Sequence, residues 1–166
     1  MIALIKKNTV SYLLLTLLLL LGCKTVMAPE YDKAIVESVT VNSEKTMVFL
    51  ASISAGTTNE DFEKREEKYN ELIGAFDALK LQAKARPIPN NVPTKKINEL
   101  LAIKNSNALS GDYPSAFAFE QIANTFQKMK EVDKMNGIKP TAMLAFRGMI
   151  ETYLDQAITY ESFLKR

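Results

Sequence analysis

The chain has 166 residues, 47% of them hydrophobic and 24% charged, a composition that suits one globular domain and excludes a disordered chain. Histidine is absent and cysteine occurs once, which removes His-based triads, His-rich zinc sites, Glu-x-x-His di-iron sites and any intramolecular disulfide. The formal charge of +2 gives no field to concentrate nucleic acid, and no nucleic-acid partner is expected.

The N-terminus has the three parts of a secretory signal peptide. Lys6 and Lys7 form a positive start, Tyr12 to Leu21 an apolar run, and Gly22 a small residue before a cut. The apolar stretch from Val10 to Gly22 is shorter than the ~20 residues a membrane-spanning helix needs, so a cleaved signal is favoured over a retained anchor. Leu20-Leu21-Gly22-Cys23 resembles the lipobox of bacterial lipoproteins. That resemblance covers the first 23 residues only. It implies diacylglycerol on the Cys23 thiol, cleavage before Cys23 by signal peptidase II and, in Gram-negative organisms, acylation of the new amine. Lys24 stands where enterobacterial lipoproteins carry an aspartate for inner-membrane retention. The resemblance therefore implies a cell-envelope protein, lipid-anchored in the outer membrane and facing the periplasm. Stable attachment takes more than one acyl chain, since each buried methylene contributes ~0.8 kcal/mol.

The expected organisation is a signal peptide over 1–22, a lipidated tether over 23–28 and one domain over 29–166. Removing Lys6 and Lys7 leaves 19 basic against 19 acidic residues, a neutral mature chain. Its 144 residues are enough to bury roughly two-thirds of the unfolded surface.

The first helix is expected from Pro29 to Ala55. Its stripe is Tyr31, Ile35, Val39, Asn42, Thr46, Phe49 and Ile53 at alternating three- and four-residue steps. Gly56 suits its C-terminal stop, and Thr57 or Thr58 suits an N-cap for the second helix, Asn59 to Ala85, with Glu60 or Asp61 completing a capping box. That helix presents Phe62, Tyr69, Ile73, Phe76, Leu79 or Lys80, and Ala83, with Leu72 alongside. The charge run Asp61 to Lys68 is expected to be a solvated face, with Asp61 and Arg65 one turn apart.

Pro87, Pro89 and Pro93 end the second helix and stiffen the connection. A short amphipathic turn is expected from Thr94 to Ile103, then loop from Asn105 to Asp112. Pro114 opens the third helix, with Phe119, Ile122, Phe126, Met129 and Val132 inward. Asn136-Gly137-Ile138 reads as a glycine stop. Pro140 then opens the fourth helix, with stripe Met143, Phe146, Ile150, Tyr153, Ala157, Tyr160 and Leu164. Four amphipathic helices with two tight connections predict an all-α fold, an antiparallel up-down-up-down four-helix bundle with a Pro-rich, partly helical connection between helices 2 and 3. Phe76, Phe126 and Phe146 are expected in its core.

No constellation points to catalysis, a metal or a cofactor. Glu63 and Glu66 have helical spacing but lack histidine partners, and Met129 and Met143 read as core filler rather than soft ligands. Ser162 and Lys165 share the Ser-x-x-Lys spacing of penicillin-recognising enzymes without the companion motifs. Asn42 and Thr46 interrupt the first stripe, either as a polar core pocket for a small ligand or as cross-core hydrogen-bonding positions. The topology gathers Lys24, Lys84, Arg86, Lys95, Lys96, Lys165 and Arg166 at the tethered end, either as a membrane-facing basic pole or as scattered solubilising charges. The expectation is a non-enzymatic, lipid-anchored envelope protein that meets the membrane through its anchor and a protein partner through its helical domain. The alternative is a small-ligand-binding bundle.

Overall fold

The computed structural model describes residues 28–87 and 113–165, and they form a four-helix bundle without strands. Its helices are α1 (Lys33–Ser52), α2 (Glu63–Ala85), α3 (Pro114–Asn136) and α4 (Pro140–Phe163). The signal peptide, the tether up to residue 27 with Cys23 and Lys24, the Thr94–Ile103 and Asn105–Asp112 assignments, Lys95, Lys96 and Arg166 lie outside the described residues.

Local chemistry sets the helix ends. Asp32 caps α1, its carboxylate accepting from the Ala34 N–H (2.8 Å) and the Ile35 N–H (3.4 Å), so the helix starts four residues later than expected from Pro29. It also stops earlier, at Ser52. Between α1 and α2 lies a 3₁₀ turn, Asn59–Asp61. The expected capping box does not form at Thr58, and Thr57 uses its hydroxyl elsewhere. Arg86 takes an extended conformation ahead of Pro87 and so ends α2. Pro114 and Pro140 both sit in the first turns they were expected to open. Gly137 closes α3 at φ +71°, a left-handed conformation that glycine adopts without penalty.

The four helices have 20, 23, 23 and 24 residues, ~30–36 Å long at 1.5 Å per residue. They pack in the cyclic order α1–α2–α3–α4, each against its two chain neighbours or, for α1 and α4, against each other. The α2–α3 and α3–α4 seams are the extensive ones, and those made by α1 are smaller. Two short connections, α1–α2 and α3–α4, and antiparallel neighbours give the up-down-up-down path. One pole therefore carries the start of α1, the end of α2, the start of α3 and the end of α4. The chain enters the bundle there, from the side of the expected tether, which makes it the tether pole.

The core is aromatic at mid-height. Phe49 meets Tyr69 edge-on at 4.9 Å, and Phe126 lies 6.3 Å from both Phe49 and Phe76. Phe76 and Phe126 are fully buried as expected, but Phe146 is only half-buried at the core's edge. The cause is the phase of α4. Its inward residues are Met143, Ile150, Leu154, Ala157 and Glu161, so Phe146, Tyr153, Tyr160 and Leu164 turn to the flank. Ile73 and Val132 are likewise half-buried, whereas Leu79, not Lys80, takes the inward place on α2.

Candidate functional site

The two carboxylates at the ends of inward stripes, Asp133 on α3 and Glu161 on α4, are fully buried. A buried carboxylate costs several kcal/mol unless it is fully satisfied, so each position demands a partner. Asp133 receives Arg65 in a two-pronged grip, with Nε on Oδ2 and Nη2 on Oδ1, both at 2.8 Å. The Thr57 hydroxyl donates to Oδ1 (2.5 Å) and the Tyr69 hydroxyl to Oδ2 (3.1 Å). Both oxygens are thus saturated. The bond to Asp133 raises the Arg65 pKa, while burial, and then the Asp133 charge, push the Tyr69 phenol far up.

This clamp ties two loops together. Thr57 Oγ1 also accepts the Ile138 N–H (2.7 Å), the Thr57 N–H reaches the Ile138 carbonyl (2.9 Å), and Arg65 Nη2 holds the Thr58 carbonyl (2.7 Å). The loops approach so closely that a Cβ on Gly56 would lie 2.6 Å from the Ile138 carbonyl oxygen, and one on Gly137 would overlap Thr57. Between them, at the pole opposite the tether, opens a notch of about 430 Å³ bordered by Gly56, Thr58, Asp61, Asn136, Ile138 and Lys139.

The tether pole has its own clamp. Arg86 grips Glu161 with Nη1 on Oε2 (2.9 Å) and Nη2 on Oε1 (2.7 Å), and Nη2 also reaches the Ser115 hydroxyl at 3.1 Å. Its guanidinium lies 5.2 Å from the centre of the Tyr113 ring, whose hydroxyl donates to the Pro87 carbonyl (2.6 Å). Burial raises the pKa of both Tyr113 and Tyr160 here.

Neither clamp was anticipated from the sequence. Arg65 is not part of a solvated face shared with Asp61; its side chain is 14% exposed and turned to Asp133, while Asp61 pairs with Lys64. Arg86 does sit at the tether pole, but Glu161 neutralises it, so its charge does not face outward. Lys84 and Lys165 are exposed at that pole. Asn42 and Thr46 part company: the Asn42 amide turns back to the Ser38 carbonyl (2.9 Å), whereas Thr46 is fully buried with an unpartnered hydroxyl. Met129 and Met143 are buried in the core. Among the described residues no group of three or more His, Cys, Asp or Glu side chains is placed to hold a metal, and no helix is long and apolar enough to cross a membrane.

Chemically the two poles differ in what they offer. Asp133 is saturated, Glu161 is paired at both oxygens with Arg86, and both clamps serve to fasten helices. The notch offers side-chain and backbone polar groups beside apolar Ala55, Ile138 and Pro140, and it is preorganised by the interlocked loops around it. Family models, curated proteins and solved structures all return no match to the chain.

Proposed function

We propose that this chain is a lipid-anchored, non-enzymatic protein of the cell envelope, held by acylation at Cys23, whose bundle presents the notch opposite the tether to an envelope protein partner. The lipobox-like Leu20-Leu21-Gly22-Cys23 supports the anchor. The observation that carries the docking half is the notch at the pole opposite the start of α1, framed by two loops joined through Thr57, Ile138 and Asp133. A surface at that pole points away from the bilayer that the anchor selects. Preorganisation lowers the entropic cost of association, which is what a recognition surface needs.

Two measurements test the two halves separately. Metabolic labelling with a fatty-acid analogue should mark the wild type and not Cys23→Ala. Equal labelling of both removes the anchor. A photo-crosslinking residue at Asn136 or Lys139, on the notch, should trap a discrete adduct in cells that the same residue at Glu37, near the start of α1, does not. Identical adduct patterns from the two places remove the notch as the docking surface.

A further inference from the structure

α1 differs from the other three helices in how it is made and held. It is crowded with β-branched and short polar side chains, which disfavour helix in isolation. Four of its side chains, Thr40, Asn42, Ser43 and Ser52, bond back to the carbonyls of Val36, Ser38, Val39 and Phe49, a habit that slightly destabilises and bends a helix. At its centre the Thr46 hydroxyl is buried without a partner. Its seams with α2 and α4 are the smaller ones in the bundle.

The polar fastenings also bypass it. Arg65–Asp133 joins α2 to α3, Arg86–Glu161 joins the end of α2 to α4, and Lys130–Glu66 and Lys80–Glu120 add to the α2–α3 seam. Among the described residues the ion pair that joins α1 to another helix, Lys45–Glu71, is half-exposed and shared with Lys68. The chain order sharpens the contrast. Gly56, at φ +93°, stands between the end of α1 and Thr57, the first residue gripped by the Asp133 clamp. Gly56 is packed against Ile138, whereas Ser54 and Ala55 before it are exposed, so a rotation about residues 54 and 55 would release α1 and leave every clamp in place.

We infer that α1 undocks as a unit from a preformed α2–α3–α4 platform, hinging just ahead of Gly56. The open form bares the Tyr69 and Phe126 rings that now receive Phe49, an apolar helix-sized groove on an otherwise intact protein. The inference rests on packing and is independent of the lipid anchor.

Amide hydrogen exchange on the full chain in detergent micelles reads it directly. Amides of α1 from Val39 to Leu50 should exchange as one group, roughly tenfold or more faster than those of α3 from Phe119 to Met129. Their rate should also rise less steeply with added denaturant, because less surface is exposed on opening. Asp133→Asn loosens the platform in the closed and α1-open forms alike, so it should speed exchange in α3 and leave α1 unchanged. Equal protection and equal denaturant dependence of α1 and α3 in the wild type would overturn the inference whether or not the variant folds. So would acceleration of α1 by Asp133→Asn in the same proportion as α3.

Discussion

Replacing Asp133 by asparagine keeps the side chain's shape and removes its charge. In the native bundle both oxygens accept hydrogen bonds, from Arg65 twice, from Thr57 and from Tyr69. The asparagine amide nitrogen, with no acceptor capacity, would face at least one of these donors, and the Arg65 guanidinium would lose its counter-charge while 14% exposed. Stranding one member of a buried pair typically costs about 3–5 kcal/mol. Arg65 retains the Thr58 carbonyl and some access to water, which sets the expectation near about 3 kcal/mol. For a domain of this size each kcal/mol lowers Tm by about 2–4 °C, so circular dichroism should show a loss of roughly 6–12 °C. Substituting both partners, Asp133→Leu with Arg65→Met, should recover much of that loss, since an apolar pair leaves no charge behind. A Tm for Asp133→Asn within about 2 °C of wild type would refute the view that this pair fastens the loops.

Two further perturbations separate packing from charge. Phe76→Ala should cost about 3–5 kcal/mol and Phe146→Ala under about 2 kcal/mol, because the first ring is fully buried and the second lies at the core's edge; thermal melts giving the reverse order would show α4 in the wrong phase. The hydrogen bonds from Lys45 and Lys68 hold the Glu71 carboxyl at about 2, below the usual 4.5. A depressed carboxylate adds stability above its unfolded value that disappears as pH falls from there through about 2. Glu71→Gln should therefore melt below wild type at pH 7 and alongside it near pH 2, with the pH 7 gap narrowing in 1 M salt. A gap independent of pH would contradict the pairing.

What could be read without coordinates was local. Pro114, Gly137 and Pro140 act through their own backbone constraints, and each bounds a helix where expected. Three- and four-residue apolar spacing located all four helices. It did not settle the phase of α4, whose apolar face is wider than the core it fills; the expected stripe took Phe146 and Tyr153, and the bundle buries Leu154. The clamps were hidden for a different reason. Arg65 has an acid one turn away, yet its partner is 68 residues along the chain, and Arg86 finds Glu161 at a separation of 75. One signal was present and unused: Asp133 follows Met129 by four residues, and Glu161 follows Ala157 by four, so each acid occupies the next inward place of an apolar stripe. An acid in that place asks for a cation from another helix. The Asn42 and Thr46 interruption was visible as polarity, but local back-bonding separated its two members.

Both clamping arginines belong to one helix and its immediate end, Arg65 in the first turn of α2 and Arg86 one residue past its last. An apolar stripe repeats every turn, so Phe, Leu and Ala side chains alone tolerate a slide of α2 by one turn, ~5.4 Å, at the cost of some repacking. Such a slide here would pull both guanidinium groups from their carboxylates at once and leave two buried carboxylates unpaired at opposite poles. α2 is located like a rod keyed at both ends, with its axial position and its rotation set by two contacts ~30 Å apart along the helix. Core substitutions along its length can then change how well the bundle packs without changing which residues face one another.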